Sequence, residues 1–93
     1  MKVLYDSEFI LQLKETDVRI QKNFREKIAI FQNNPKDPLL DNHSLKREYV
    51  GYRSINITAD YRAIFKQIPK DEDIIYYFFL IGTHEQLYSK KGP

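Results

Sequence analysis

The order of hydrophobic periodicities in this 93-residue chain predicts an α+β domain. In it, an N-terminal strand and a helical hairpin pack on one face of a small antiparallel sheet. Three observations predict it. Apolar residues recur at helical spacing between Phe9 and Phe31, the period changes to two from Tyr52 onward, and residues 74–81 form an unbroken apolar run. A chain of this length supports one core, so residues 1–93 read as a single domain.

Each element has its own signal. Val3 to Tyr5 reads as a short first strand. Asp6 or Ser7 can cap a helix carrying Phe9, Ile10 and Leu13, and Thr16-Asp17 supplies a second cap. Ile20, Phe24, Ile28 and Phe31 then recur at steps of four, four and three, one face of an amphipathic helix. Asn33-Asn34-Pro35 ends it, because proline cannot continue a helix and restricts the residue before it. Residues 35–45 read as a loop. Arg53, Ile55 and Ile57 alternate with Ser54, Asn56 and Thr58, a strand, and Thr58-Ala59-Asp60 reads as a tight turn. The return strand runs from Tyr61 to Gln67, and Pro69 to Asp73 marks a second turn. Residues 74–81, rich in β-branched and aromatic side chains, suit a strand buried on both faces, with Tyr76, Tyr77, Phe78 and Phe79 as core. Ser54, Asn56, Arg62 and Lys66 are expected on the sheet face away from the helices.

Composition narrows the function classes. Hydrophobic residues make up 42% and charged residues 30%, an ordinary soluble balance. There is no cysteine, hence no disulfide or thiolate zinc site, which suits a cytoplasmic protein. Asp6 and Glu8 interrupt the start, so no secretory signal core is expected there. The longest apolar run is far shorter than the ~20 residues of a membrane helix, and no membrane partner is expected. Net charge is only +2, but residues 43–70 carry six basic side chains against two acidic ones. Such a segment is what a phosphate-binding face requires.

The two histidines, His43 and His84, each stand in a loop beside a predicted strand. Imidazole both takes and gives a proton near neutrality. Arg62 opens a strand two residues after Asp60, and a guanidinium fork suits a phosphoryl oxyanion. Tyr88 follows His84 by one helical turn and can stack on a base. These parts suit RNA cleavage by internal attack of a ribose 2′-hydroxyl, for which no metal is required. No carboxylate or cysteine stands at ligand spacing from either histidine, so neither metal nor cofactor is expected.

His43-Ser44-Leu45-Lys46, Gly51-Tyr52-Arg53-Ser54-Ile55 and Asp60-Tyr61-Arg62-Ala63-Ile64-Phe65 together resemble the RelE/ParE toxin superfamily. The ending Ile81-Gly82-Thr83-His84-Glu85-Gln86-Leu87-Tyr88 is similar to its YafQ-like branch, and the ordered set spans nearly the whole chain. The resemblance implies a ribosome-dependent messenger-RNA endonuclease, acting in the ribosomal A site and paired with a cognate antitoxin. By position it implies His43, His84, Asp60 and Arg62 as catalytic residues and Tyr88 as the late aromatic at the RNA; Lys66, Asn56, Arg53 and Lys46 are expected as further RNA contacts from their own chemistry. The sequence departs from the YafQ pattern at Asn56, where a histidine is expected; asparagine cannot exchange protons near neutral pH. Two alternatives stay open: a ParE-like protein that poisons DNA gyrase without chemistry of its own, and a degenerate member that only binds its antitoxin.

Overall fold

A computed structural model of the chain describes residues 1–88. Its elements are β1 (Lys2–Tyr5), α1 (Ser7–Lys14), α2 (Val18–Asn33), β2 (His43–Ser44), β3 (Arg53–Asn56), β4 (Tyr61–Lys70), β5 (Asp73–Thr83) and α3 (His84–Tyr88). Both helix starts are capped as expected: Asp6 accepts from the Glu8 amide and Asp17 from the Ile20 amide, each at 3.0 Å. The side-chain amide of Gln21, in α2, donates to the carbonyls of Leu13 and Thr16 at 3.3 and 2.9 Å. It thereby ties the start of α2 to the end of α1.

The sheet order is β1-β5-β4-β3-β2. From β2 to β5 the strands are antiparallel, whereas β1 runs parallel to β5, with Val3 opposite Tyr76. The antiparallel expectation thus does not extend to β1. The meander leaves the far edge of β5 free, and a connection through two helices places β1 along that edge in the parallel sense. Within the segment read as a loop, Leu40 is fully buried and His43–Ser44 pairs with β3.

The helices cover one face. Phe9, Phe24, Phe31, Phe65 and Phe78 form its core with Leu40, Ile55, Ile57, Ala63 and Ile81. The rings of Phe31, Phe65 and Phe78 meet at centroid distances of 5.0–5.3 Å. The Lys27 ammonium donates to the Ile57 carbonyl at 2.9 Å, fastening α2 to the end of β3.

On the opposite face a smaller cluster of Leu45, Ile64 and Leu87 sits under Tyr49, Tyr52, Leu80 and Tyr88. A bulge in β5 separates the two faces: Ile64 pairs with Leu80 and Phe65 with Phe78, which leaves Phe79 unpaired. This corrects the reading of residues 76–79 as uniform core. Tyr76 and Phe78 pack under the helices, but Tyr77 and Phe79 join neither cluster and are partly buried on the other face.

Phe31 has no solvent exposure and touches three aromatic rings. Phe31→Ala is expected to cost about 3–5 kcal/mol in urea unfolding. Leu11→Ala, at a side chain 56% exposed, should stay within ~0.5 kcal/mol.

Candidate active site

The β3–β4 hairpin sets Asn56 opposite Arg62 and Ser54 opposite Ile64. Since directly opposed residues share a face, Ser54, Asn56 and Arg62 all point away from the helices, as expected. Arg62 is the hub. Its Nε and Nη2 donate to Ser54 Oγ at 3.0 and 2.7 Å, and its Nη1 donates to Asn56 Oδ1. Nη2 also reaches the Asp41 carbonyl at 3.5 Å, and Nη1 stands 3.8 Å from the Asp41 carboxylate. Burial lowers the guanidinium's pKa, while Asp41 and the Tyr88 phenol act in the other direction. A guanidinium so placed stays charged at neutral pH.

His43 packs against this hub, with Nδ1 3.3 Å from Arg62 Nη2 and 2.9 Å from the Asp41 carbonyl. The nitrogen has room for one role. The shorter contact is the one to the carbonyl: a proton on Nδ1 would donate to it and leave Nε2 with the lone pair. The Asp41 carboxylate lies 3.7 Å from the same nitrogen.

The other imidazole arrives on α3. Thr83 Oγ1 accepts from the Gln86 amide at 3.1 Å, and Gln86 Oε1 accepts from the Thr83 amide at 2.9 Å, a reciprocal capping box. His84 is therefore held at the first helical position. Gly82 leaves room for the box: a Cβ there would lie 3.0 Å from Gln86 Oε1, which would have to give by a few tenths of an ångström. The His84 and Tyr88 rings pack at 4.7 Å, and Tyr88 meets Tyr49 edge-on at 5.3 Å. The Tyr49 hydroxyl donates to the Leu87 carbonyl at 2.7 Å and so pins α3 to the 45–52 segment. Tyr88 lines one concavity with His43 and Lys46, while His84 lines another with Asp60.

The structure thus gathers Arg62, His43, Asn56 and Tyr88, with His84 against Tyr88 and Lys46 at the rim. Asp60 is exposed beside His84, and its amide is held by Thr58 Oγ1 at 3.2 Å. Arg53 is engaged elsewhere: its Nε donates to Asn42 Oδ1 at 2.7 Å, bracing the segment that carries His43. Lys66 stands four residues beyond Arg62 on β4, over the Tyr52 ring.

Sequence reasoning missed Asp41 and the bonding role of Ser54. Asp41 adopts a left-handed conformation (φ 48°), which turns its carbonyl toward His43 and Arg62; no local pattern announced this. For Ser54 a signal existed, since it lies on Arg62's face one step along the neighbouring strand.

No protein-family model and no curated protein matches the sequence. Solved structures do. YafQ from E. coli strain BL21(DE3) superposes with a TM-score of 0.76 at 22% identity, over 94% of this chain and 97% of that one. A YoeB/ParE toxin from Agrobacterium tumefaciens gives 0.72 at 21% identity, over 90% and 99%. RelE in the RelB–RelE antitoxin–toxin complex from Methanococcus jannaschii gives 0.68 at 22% identity, over 96% and 99%. The chain therefore has the fold of the RelE/ParE-superfamily toxins, YafQ among them, as the resemblance in its sequence implies.

Proposed function

We propose that the protein is the toxin of a type II toxin–antitoxin pair and cleaves messenger RNA in the ribosomal A site in the cytoplasm. The observation that carries the reading is the meeting of a largely buried arginine with the His43 imidazole, while a second imidazole packs on the Tyr88 ring that lines the same concavity as His43. In this mechanism one imidazole takes the proton of a ribose 2′-hydroxyl, whose oxygen attacks the adjacent phosphorus. The P–O5′ bond breaks, and the other imidazole protonates the departing oxygen, leaving a 2′,3′-cyclic phosphate and a 5′-hydroxyl. Arg62 holds the phosphoryl oxygens as negative charge builds. Asp60 assists His84, and Tyr88, Asn56 and Lys46 contact the RNA. No metal takes part in this scheme.

A ParE-like binder without chemistry has no use for an imidazole packed on a guanidinium. That reading is retained only as an outcome of the test. The partner is a cognate antitoxin, as RelB is for RelE in the complex of similar fold. An acidic or amphipathic segment of it suits the helical hairpin, where an apolar groove lined by Phe9, Leu13 and Phe24 is flanked by Lys14 and Arg25.

Message cleavage in a translating extract, mapped by primer extension, is expected to fall about 10²–10³-fold in Arg62→Ala and about 10²–10⁴-fold in His84→Ala. Full activity in both variants, or inhibition of purified gyrase in a supercoiling assay, would overturn the proposal. Ser54→Ala removes the acceptor of Arg62 Nε and Nη2. It should cost about 1–3 kcal/mol in urea unfolding and lower cleavage with it. The product of the neighbouring gene should bind the purified chain and restore growth; absence of binding in calorimetry removes the antitoxin claim.

A further inference from the structure

The face that carries Arg62 continues along β4 into a second cluster of chemistry. Lys66 lies opposite Tyr77 on β5, and Tyr52, one residue before the Arg53–Phe65 pair, stands on its other side. The bulge adds Phe79 to this row. The Tyr52 and Phe79 rings stack at 5.0 Å with planes 30° apart, and Tyr77 meets Phe79 edge-on at 6.0 Å. Lys66 Nζ stands 5.5 Å from the Tyr52 centroid and forms no ion pair among the described residues. The nearby carboxylate of Asp6 is engaged by the Tyr77 hydroxyl and the Glu8 amide.

All three rings keep part of their surface open to solvent. Rings displayed on a sheet face beside an unpaired cation are how proteins hold single-stranded nucleic acid: bases stack on the rings, and the cation meets the backbone. Four residues of strand at ~3.3 Å each put Lys66 about 13 Å from Arg62. At ~3.4 Å per stacked nucleotide this is three to four steps along a strand, fewer if the strand is extended.

We propose that Tyr52, Phe79, Tyr77 and Lys66 form a second nucleotide subsite, where a base of the RNA flanking the scissile phosphate stacks on Phe79 and Lys66 meets its phosphate. The proposal rests on the nuclease reading and extends it: the substrate is a single strand several nucleotides long, gripped at both ends of one sheet face. A protein segment on the same rings is the competing occupant. RNA is favoured because the row shares its face with the candidate centre and offers a free cation.

The experiment is fluorescence anisotropy with labelled 2′-O-methyl oligonucleotides, which lack the attacking hydroxyl, using an octamer and a trimer. The wild-type chain should bind the octamer at least about tenfold more tightly. Phe79→Leu keeps the apolar volume but removes the ring face, and should lose about tenfold on the octamer and nothing on the trimer. Lys66→Gln should weaken the octamer a few-fold and reduce its salt slope by about one. Thermal melts of both variants establish that the fold is intact. Equal binding of octamer and trimer by the wild type, or a Phe79→Leu variant that keeps full octamer affinity, overturns the subsite. So does loss of antitoxin binding with octamer binding unchanged. A wild-type chain that prefers the octamer but leaves translated message intact sinks the nuclease reading and supports the subsite.

Discussion

The candidate centre depends on how Arg62 is held. Its side chain is only 17% exposed, so its charge is costly unless every donor finds an acceptor. Ser54 Oγ, Asn56 Oδ1 and the Asp41 carbonyl supply those acceptors, and all three are neutral. The nearest carboxylate, that of Asp41, stands off at 3.8 Å and is 62% exposed. A guanidinium paired with a buried carboxylate would be oriented and neutralised together. Held by neutral oxygens it is oriented while its charge stays available to an incoming anion.

Everything around the hub keeps that geometry from two sides. Arg53 grips Asn42 and thereby braces the turn whose Asp41 carbonyl contacts His43 Nδ1. On the other side Gly82, Thr83 and Gln86 build the box that starts α3, and Tyr49 locks the helix from above through Leu87. The small cluster of Leu45, Ile64 and Leu87 is the only apolar material under this arrangement among the described residues. The large phenylalanine core lies behind the sheet. Stability and chemistry are thus assigned to opposite faces of the same strands, and the bulge at Phe79 lets one strand serve both.

The elements that read clearly in the sequence are those dictated by local chemistry. The Asp6 and Asp17 caps, the stop at Asn34-Pro35 and the alternation around Ile55 and Ile57 need only a few neighbouring residues to operate. What escaped depends on distant partners. The parallel placement of β1 follows from which sheet edge remains free, and the bulge at Phe79 from a register between two strands. The same division runs through the site. His43, His84 and Arg62 were legible as residue types able to move protons or bind phosphate. The position of Asp41 was not, because its role comes from a main-chain carbonyl in a left-handed turn, which carries no side-chain signature.

Asn56 acquires a meaning from this geometry. Its Oδ1 is the acceptor for Arg62 Nη1, and an amide oxygen performs that task at every pH. An imidazole in the same place would accept only while neutral, and on protonation would set a second cation against the guanidinium. Asparagine therefore gives up a proton carrier at position 56 and gains a pH-independent hold on the arginine. His43 and His84 are the chain's two histidines. One is oriented by a carbonyl and the other by a capping box, so each is fixed in position by groups that do not themselves titrate.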